Sequence, residues 1–471
     1  MKPTFRRNKV HFISLGCARN LVDTEIMLGI ILQAGYEVTD TVSNADFFII
    51  NTCSFLKTSR QESLNTIAKV SMQKKSRAKI IVTGCMVQSH KELLEKHFPK
   101  THYFVGAGHA DQILQALQSK EEGELISDAR SYIYSGEVPR TLSTPKHYAY
   151  LKIAEGCRKR CAFCIIPLIK GKLQSKPEEV IIREFSALLA QGVFEIILIA
   201  QDLGDYGKDQ NRSDGLVRLL EKLLLIDKPF WIRLLYLYPD EISDSLIALI
   251  ARDKRICPYI DMPIQHCNNQ LLKAMHRKTS KEQIVQTILK LRSSIPNIVI
   301  RTSLMVGFPG ETESQFQELV AFVQQQRLDH VGIFTYSKEE LSHSAKLPLH
   351  IPEKIKEKRK RILSHAQQHV LQETMKKYIG QTLPVIIESN HPDSPYLMRG
   401  RFWGQAPEVD GEIIINDTKL VDEFGGVYEV YISGALEYDL VGQVVKKLSL
   451  TQKKQERKFP LTLSLIHISE P

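Results

Sequence analysis

Three cysteines stand close together in the middle of the chain, at Cys157, Cys161 and Cys164. Their spacing, Cys-x3-Cys-x2-Cys directly after a predicted strand, lets three thiolates wrap one iron–sulfur cluster, because thiolate sulfur is the soft ligand that such clusters use. Three ligands for the four irons of a [4Fe–4S] cluster leave one iron free to bind a substrate or cofactor. A zinc site or a redox dithiol is the alternative, but zinc normally takes four ligands with paired Cys-x2-Cys spacing. The spacing therefore favours a cluster with one open coordination site.

Three further cysteines, Cys17, Cys53 and Cys85, recur near the N-terminus in a repeated pattern. Each one ends a run rich in β-branched and aromatic residues and is followed by a helical pattern. Such repeats predict βαβ units in a parallel sheet, whose strand ends meet on one edge. Open α/β sheets bind ligands at that edge, so these cysteines are expected to meet in space. An iron–sulfur cluster, a zinc site, a redox site and ordinary buried thiols all remain open for this trio.

Length, composition and charge limit the class of protein. The chain has 471 residues, 43% hydrophobic and 25% charged, which suits a globular protein of about three domains and excludes a disordered or fibrous one. It has no apolar run of membrane-spanning length and no secretory signal, and eight cysteines are too few for a secreted disulfide scaffold, so a soluble, cytoplasmic protein is expected. The net charge of +10 by itself suggests a nucleic-acid partner.

A central region carries six predicted strands with amphipathic helical patterns between them. The strands cover residues 149–154, 195–200, 231–236, 259–263, 299–306 and 331–336. Six βα units fit a full or partial barrel, whose active site lies at the C-terminal ends of the strands. A polar linker is predicted before this region at residues 119–145, and a charged helical segment after it at residues 353–378.

The last region, residues 379–445, contains short strand patterns punctuated by glycine and proline. This pattern predicts a small antiparallel β-barrel. Residues 446–471 are a basic run followed by an apolar stretch, and they are predicted to be a disordered or non-native tail. The expected fold class is α/β: an N-terminal parallel α/β domain, a central partial (β/α) barrel and a C-terminal antiparallel β-barrel.

The central cysteine motif resembles that of the radical S-adenosylmethionine (SAM) superfamily. The resemblance implies that the open iron binds the amino and carboxylate groups of SAM, and that an electron from the cluster cleaves SAM to methionine and a 5′-deoxyadenosyl radical. It also implies candidate SAM contacts: Gln201 at a strand end, Arg301 facing either the SAM carboxylate or solvent, and Gly307 and Gly310 of the GFPGET run. A Gly-Pro-Gly turn between strand and helix is common on its own.

From residue 8 to residue 445 the chain resembles the methylthiotransferases, and most of all their RimO type. The motifs that carry the resemblance are the three strand-end cysteines, GCARNLVDTE at 16–25, AEGCRKRCAFCIIP at 154–167, the AQD…YG run at 200–207, DMPIQH at 261–266 and QAPEVDG at 405–411. The stretch KGKLQSK at 170–176 departs from the arginine-rich sequence common in the family. Lysine keeps the positive charge there but lacks the bidentate fork of arginine.

The family resemblance implies two [4Fe–4S] clusters. Cys157, Cys161 and Cys164 would hold the one that cleaves SAM, and Cys17, Cys53 and Cys85 an auxiliary one that delivers the methylthio group. The implied segments are an N-terminal methylthiotransferase domain at 8–125, a radical SAM core at 143–375, an OB-like TRAM domain at 378–445 and the tail at 446–471.

Two substrates compete within the family, a ribosomal protein and, as in the MiaB type, a transfer RNA. A non-catalytic iron–sulfur protein is a third hypothesis, which a six-unit barrel disfavours. Residues 378–445 hold eleven acidic and three basic side chains. Because phosphate neutralisation dominates RNA affinity, an acidic domain argues against direct nucleic-acid binding and favours a basic small-subunit ribosomal protein. The family implies an aspartate β-carbon of small-subunit ribosomal protein twelve as the target, and an electron donor such as flavodoxin or ferredoxin is expected.

Overall fold

The computed structural model describes residues 8–127 and 138–448. None of the helices in these ranges combines the length and the apolar character needed to cross a bilayer. The tail prediction for residues 449–471 lies outside the described residues, as does part of the predicted linker. The described residues form two parallel α/β units and one closed barrel, in chain order.

The N-terminal unit is a six-stranded parallel sheet in the order β2-β1-β3-β4-β5-β6, with helices packed against it. Its strands are β1 (Lys9–Ser14), β2 (Glu37–Val38), β3 (Phe47–Thr52), β4 (Lys79–Gly84), β5 (Tyr103–Gly106) and β6 (Gly123–Leu125), and its helices α1 (Ala18–Gln33), α2 (Lys57–Gln73), α3 (Cys85–His97) and α4 (Ile113–Gln118). Strands β1, β3 and β4 are the three predicted cysteine-ending runs, and they are buried because a parallel sheet is covered on both faces. The linker prediction began too early, because β6 pairs with β5 within it.

The central unit contains a sheet of six parallel strands in the order β14-β13-β12-β11-β10-β7, an open sheet that confirms the partial barrel. Its strands are β7 (Tyr148–Lys152), β10 (Glu195–Ile199), β11 (Trp231–Leu234), β12 (Ile256–Asp261), β13 (Val299–Val306) and β14 (His330–Thr335), with a separate pair β8 (Ala154–Glu155) and β9 (Gln174–Ser175). Its helices are α5 (Ile166–Lys170), α6 (Glu178–Ala190), α7 (Gly215–Leu223), α8 (Asp244–Arg252), α9 (Asn269–Ala274), α10 (Lys281–Ser294), α11 (Glu313–Gln326) and α12 (Glu353–Met375). Buried aliphatic side chains of helices and strands pack together as the main core.

The C-terminal unit is a closed five-stranded barrel in the order β15-β16-β17-β19-β18. Its strands are β15 (Thr382–His391), β16 (Ser394–Phe402), β17 (Ile413–Asp417), β18 (Val427–Ala435) and β19 (Leu440–Lys447). The pairs are antiparallel except β17–β19, which is parallel. Strand β19 reaches Lys447, so Lys446 and Lys447, which the sequence had placed in the tail, belong to the barrel.

The three units share one buried hydrophobic cluster at the base of the central sheet. It combines α1 of the first unit, tyrosines of β7 and residues such as Ile386 and Val427 of the C-terminal barrel. A buried ion-pair group reinforces the joint with the barrel: Glu195 accepts from Arg233 at 2.6 Å and from Arg401 at 2.8 Å. These contacts hold helix α1 and the C-terminal barrel against the central unit.

Candidate active site between two cysteine trios

The N-terminal cysteines lie together at one edge of the first sheet. Cys17 caps α1, Cys53 directly follows β3 and Cys85 begins α3, and all three line one cavity. Gly16, at a φ of +90°, makes this approach possible, because a Cβ there would come within 2.7 Å of the Cβ of Cys53. The expectation that these three residues meet at the strand ends agrees with this arrangement.

Burial raises the pKa of two thiols of the N-terminal trio, Cys53 and Cys85. Burial and the neighbouring sulfur of Cys17 raise the pKa of Cys53 to about 11. Burial also raises the pKa of Cys85 to about 12, although the Lys170 ammonium acts in the opposite direction. Without a cation these two thiols are neutral at pH 7, and a metal must displace their protons when it binds.

The central cysteines lie in the loop between β8 and α5. The backbone N–H groups of Lys159 and Ile166 donate to the sulfurs of Cys157 and Cys164, each at 3.4 Å. The sulfur of Cys161 lies 3.0 Å from the hydroxyl of Tyr238. Hydrogen bonds of this kind hold sulfur ligands in place and tune a bound metal centre. The loop is thus preorganised around its three sulfurs.

The sulfur spacing separates a cluster from a single zinc ion. Zinc binds sulfur at about 2.3 Å, which places sulfurs of one site roughly 4 Å apart. Within residues 8–127 and 138–448, one group of potential metal ligands is compact enough for a single ion, with its ligand atoms within 4.8 Å of one another. It consists of the carboxylates of Asp202, Asp205 and Glu241. Neither cysteine trio is as compact as that group, which favours a cluster over a single zinc ion. The Lys159 ammonium forms ion pairs with all three of these carboxylates.

A second cavity, of about 140 Å³, lies beside the first and is lined by Cys157 and Cys164. Four residues line both cavities, so the two trios open onto adjoining space; they are Arg19, Phe55, Ile166 and Gln201. The remaining wall of the second cavity includes apolar side chains such as Phe163, Met305 and Phe334. An apolar chamber of this kind, with a few convergent polar groups, is typical of a small-molecule site.

Of the candidate SAM contacts, the structure brings Gln201 to the cavity and leaves three others away from it. The Gln201 Nε2 donates to Glu155 at 2.6 Å, and its Oε1 is buried with no hydrogen-bond partner. Arg301 is neutralised by Asp261, the last residue of β12, at 3.0 Å and by Asp410 of the C-terminal unit at 3.4 Å. It does not line the cavity.

Gly307 and Gly310 form the turn between β13 and α11, outside the cavity lining. A Cβ at Gly307 would collide with the Lys356 side chain of α12, at 2.3 Å. The positive φ angles of both glycines, +80° and +84°, shape this turn. The GFPGET run thus serves the packing of α12 in this structure.

Sequence reasoning missed a buried charged group beside the N-terminal trio. Asp23 of α1 accepts from Lys152 at 2.5 Å and from Lys170 at 3.2 Å. Glu155 is 2.7 Å from Lys152 and 3.5 Å from Lys170. Lys170, which lies in the KGKLQSK departure, therefore reaches the first cavity with its charge already balanced. The available signal was Asp23, one of two acidic residues in a helix whose sequence turns apolar after Glu25.

A second missed group lies beside the central trio. The Arg277 guanidinium lies 3.8 Å from the centre of the Tyr238 ring, and its Nη1 is 3.8 Å from the sulfur of Cys161. Both residues line the second cavity. Neither one stands in a recognisable motif, because they are far from the cysteines in sequence and meet them only in the folded chain.

Comparison with known proteins decides the family. The uncharacterized protein family UPF0004 matches residues 9–106, the radical SAM superfamily residues 151–323 and the TRAM domain residues 379–445. The ribosomal protein uS12 methylthiotransferase RimO of Protochlamydia amoebophila (strain UWE25) is 58% identical over 440 residues, which cover 93% of each chain. That of Bdellovibrio bacteriovorus is 42% identical over 452 residues, 94% of this chain and 98% of the relative. The chain belongs to the RimO family.

Membership in the RimO family makes the chain a radical SAM methylthiotransferase, an enzyme class that uses SAM and [4Fe–4S] clusters. A solved structure with a similar fold is the radical SAM methyltransferase TsrM from Kitasatospora setae, with tryptophan substrate and the SAM analogue aza-SAM bound. Its TM-score is 0.51 at 14% identity, and the match covers 69% of this chain and 72% of TsrM. At that identity the similarity concerns the fold alone.

Proposed function

We propose that this enzyme adds a methylthio group to the β-carbon of an aspartate in small-subunit ribosomal protein uS12. The observation that carries the proposal is the pair of cysteine trios opening onto adjoining cavities. One trio suits SAM binding and the other suits sulfur delivery, and a substrate side chain placed between them could reach both.

The donor sets fit two [4Fe–4S] clusters. Each trio supplies three soft thiolate ligands, and each leaves room for an exogenous ligand. Cys157, Cys161 and Cys164 would hold one cluster, and Cys17, Cys53 and Cys85 the other. When bound, these groups supply reductive cleavage of SAM at the first site and the methylthio group at the second.

The chain's own residues prepare the chamber for this chemistry. Backbone donors from Lys159 and Ile166 orient two of the central sulfurs. Phe163, Met305 and Phe334 line the cavity with apolar surface, which keeps water from a reactive intermediate. Gln201 also lines this cavity, and its amide oxygen is buried without a hydrogen-bond partner. This oxygen can accept a hydrogen bond from the SAM amino group.

The substrate is proposed to dock against the C-terminal barrel. Outside the contacts with the central unit, residues 378–447 keep eight acidic and four basic side chains, an excess of negative charge. Negative charge attracts a basic ribosomal protein and repels transfer RNA. The reaction takes place where ribosomes are made and used, in the cytoplasm, with a flavodoxin or ferredoxin as the electron donor.

Mass spectrometry of uS12, incubated with reconstituted enzyme, SAM and reductant, tests the proposal. We expect one methylthio group on uS12. Cys161→Ala should abolish SAM cleavage, whereas Cys53→Ala should keep it and lose methylthio transfer. Cys257→Ala is the matched control, because this buried thiol of β12 lines neither cavity. Modification of transfer RNA alone would overturn the substrate assignment, and loss of SAM cleavage in Cys53→Ala would contradict two separate clusters.

A further inference from the structure

Two buried arginines differ from all other buried cations in the described part of the chain. Ten lysines and arginines are buried there, and eight of them pair with a carboxylate. The two without an ion pair are Arg19 and Arg277, and both line the second cavity. A buried charge is normally paired, because its loss of hydration is costly unless an opposite charge and hydrogen bonds compensate for it. The second cavity is therefore lined by two buried arginines that could each bind an anionic ligand.

Arg19 occupies the junction of the two cysteine sites. It lies in the first turn of α1, two residues after Cys17, and its Nη1 donates to the carbonyl of Ala200 at 2.9 Å. This bond carries the side chain from the N-terminal unit to the end of β10. Its guanidinium lies 5.0 Å from the centre of the Tyr236 ring, and the Arg19 side chain lines both cavities. The Ala200 bond uses one of five N–H groups and leaves hydrogen-bonding capacity for a ligand.

Neighbouring groups do not neutralise Arg19. The carboxylate of Glu155 already pairs with Lys152 and Lys170 and accepts from Gln201. Lys170 also lines the cavity of the N-terminal trio, but Asp23 and Glu155 already balance its charge. Arg277 lines the second cavity beside Cys161. Arg19 is therefore the cation placed between the two reaction sites.

We propose that Arg19 binds the side-chain carboxylate of the uS12 aspartate and so places its β-carbon between the two cysteine trios. The inference rests on the proposed function. The β-carbon is bonded directly to the carboxylate carbon, so a guanidinium that grips the carboxylate also fixes the reacting carbon. Arginine suits this task because its planar fork can hold a carboxylate through two parallel hydrogen bonds. Arg19 is thus a specificity residue for an acidic target.

Binding measurements on the reconstituted holoenzyme test the assignment. The ligands are uS12, a uS12 variant with asparagine at the target position, and SAM alone. Arg19→Gln should weaken binding of uS12 roughly 10- to 100-fold, the effect of losing a charged hydrogen bond, and should bind the asparagine variant as wild type does. Arg19→Lys keeps the positive charge but lacks the planar fork, so its affinity for uS12 should lie between those of wild type and Arg19→Gln. Arg277→Gln, a cavity arginine without an ion pair, should keep the preference for aspartate.

Several outcomes would overturn the assignment. If Arg19→Gln keeps the wild-type preference for aspartate over asparagine, the residue does not read the carboxylate. If it loses affinity for SAM alone, the bound carboxylate is that of SAM. If the bound iron and sulfide of Arg19→Gln fall to half of the wild-type content, one cluster is lost and Arg19 instead compensates the charge of the N-terminal thiolates. Failure of the proposed function looks different, because wild-type enzyme would then neither bind nor modify uS12, and the Arg19 assignment would fall with it.

Discussion

Asp23 balances two buried ammonium groups next to the N-terminal trio, so replacing it should have a large effect. Together, Asp23, Glu155, Lys152 and Lys170 form a buried group with two positive and two negative charges. The Asp23→Asn substitution keeps the shape of the side chain and removes one negative charge. Two lysines must then share Glu155, at 2.7 and 3.5 Å, and one positive charge stays unpaired.

The expected loss is about 3–5 kcal/mol, the usual consequence of breaking a buried pair by removing one partner. For a cooperative unit of 150–250 residues this lowers the melting temperature by roughly 10 °C. Burial alone would lower the pKa of Lys170, but Asp23 and Glu155 outweigh burial and hold it well above its usual range. Without Asp23 the effect of burial should prevail, and the folded-state pKa of a lysine should fall below its unfolded value.

The pH dependence of Asp23→Asn follows from that shift. When the folded lysine has the lower pKa, the unfolded chain binds more protons, so stability rises with pH until the unfolded lysine titrates near about 10.4. The gap between variant and wild type should therefore narrow between pH 7 and pH 10.

Thermal unfolding of the apo-protein, followed by circular dichroism at both pH values, measures the effect of Asp23→Asn. The matched control is the double variant Asp23→Asn with Lys170→Met, which restores neutrality and should recover most of the loss. Asp23 does not balance the two lysines if Asp23→Asn melts within about 2 °C of wild type at pH 7, or if the double variant melts no higher than the single one.

Three further changes have defined outcomes. Burial alone would raise the pKa of Glu388, but Arg401 and His147 hold it at about 2. The stabilising effect of the Glu388 carboxylate is therefore present above about pH 4.3 and is lost as the pH falls towards about 2. The difference in melting temperature between wild type and Glu388→Gln should vanish over that interval. Tyr238→Phe removes the hydroxyl beside Cys161 and should lower the reduction potential of the bound cluster, measured by potentiometric electron paramagnetic resonance, with iron content unchanged. Glu339→Gln weakens the ion pair with Arg60 at the rim of the second cavity and should speed hydrogen exchange in residues 55–60.

The strands were predictable because buried parallel strands are continuous apolar runs, and such runs stand out in a sequence. All six central strands and the three cysteine-ending strands lie where these runs predict them. Strand β6 was missed because Gly123–Leu125 is short and polar, and its pairing with β5 comes from tertiary contact. The parallel β17–β19 pair has the same origin, since register between distant strands leaves no local pattern.

The six cysteines were recognisable because their chemistry is restricted and their spacing is regular. The surrounding charges were not, because their partners are distant in sequence: Asp23 meets Lys152 and Lys170, and Arg19 meets Ala200, only after the units dock. Arg301 illustrates the opposite error. A basic residue on a barrel strand was a reasonable SAM contact, but Arg301 pairs with Asp261 and Asp410 and does not line the cavity.

The charge of the C-terminal barrel also depends on which acids face outward. Of the eleven acidic residues in 378–445, Glu388 bonds to His147, Glu408 to Tyr148 and Asp410 to Tyr259 of the central unit. These three hold the barrel in place and contribute nothing to a docking surface. Lys446 and Lys447 belong to β19, and they pair with acidic neighbours on the outside. The outward surface therefore carries a smaller negative excess than the sequence indicates, but its sign is unchanged. Since electrostatic attraction depends on that sign and weakens with salt, affinity for a basic ribosomal protein should decrease as ionic strength rises.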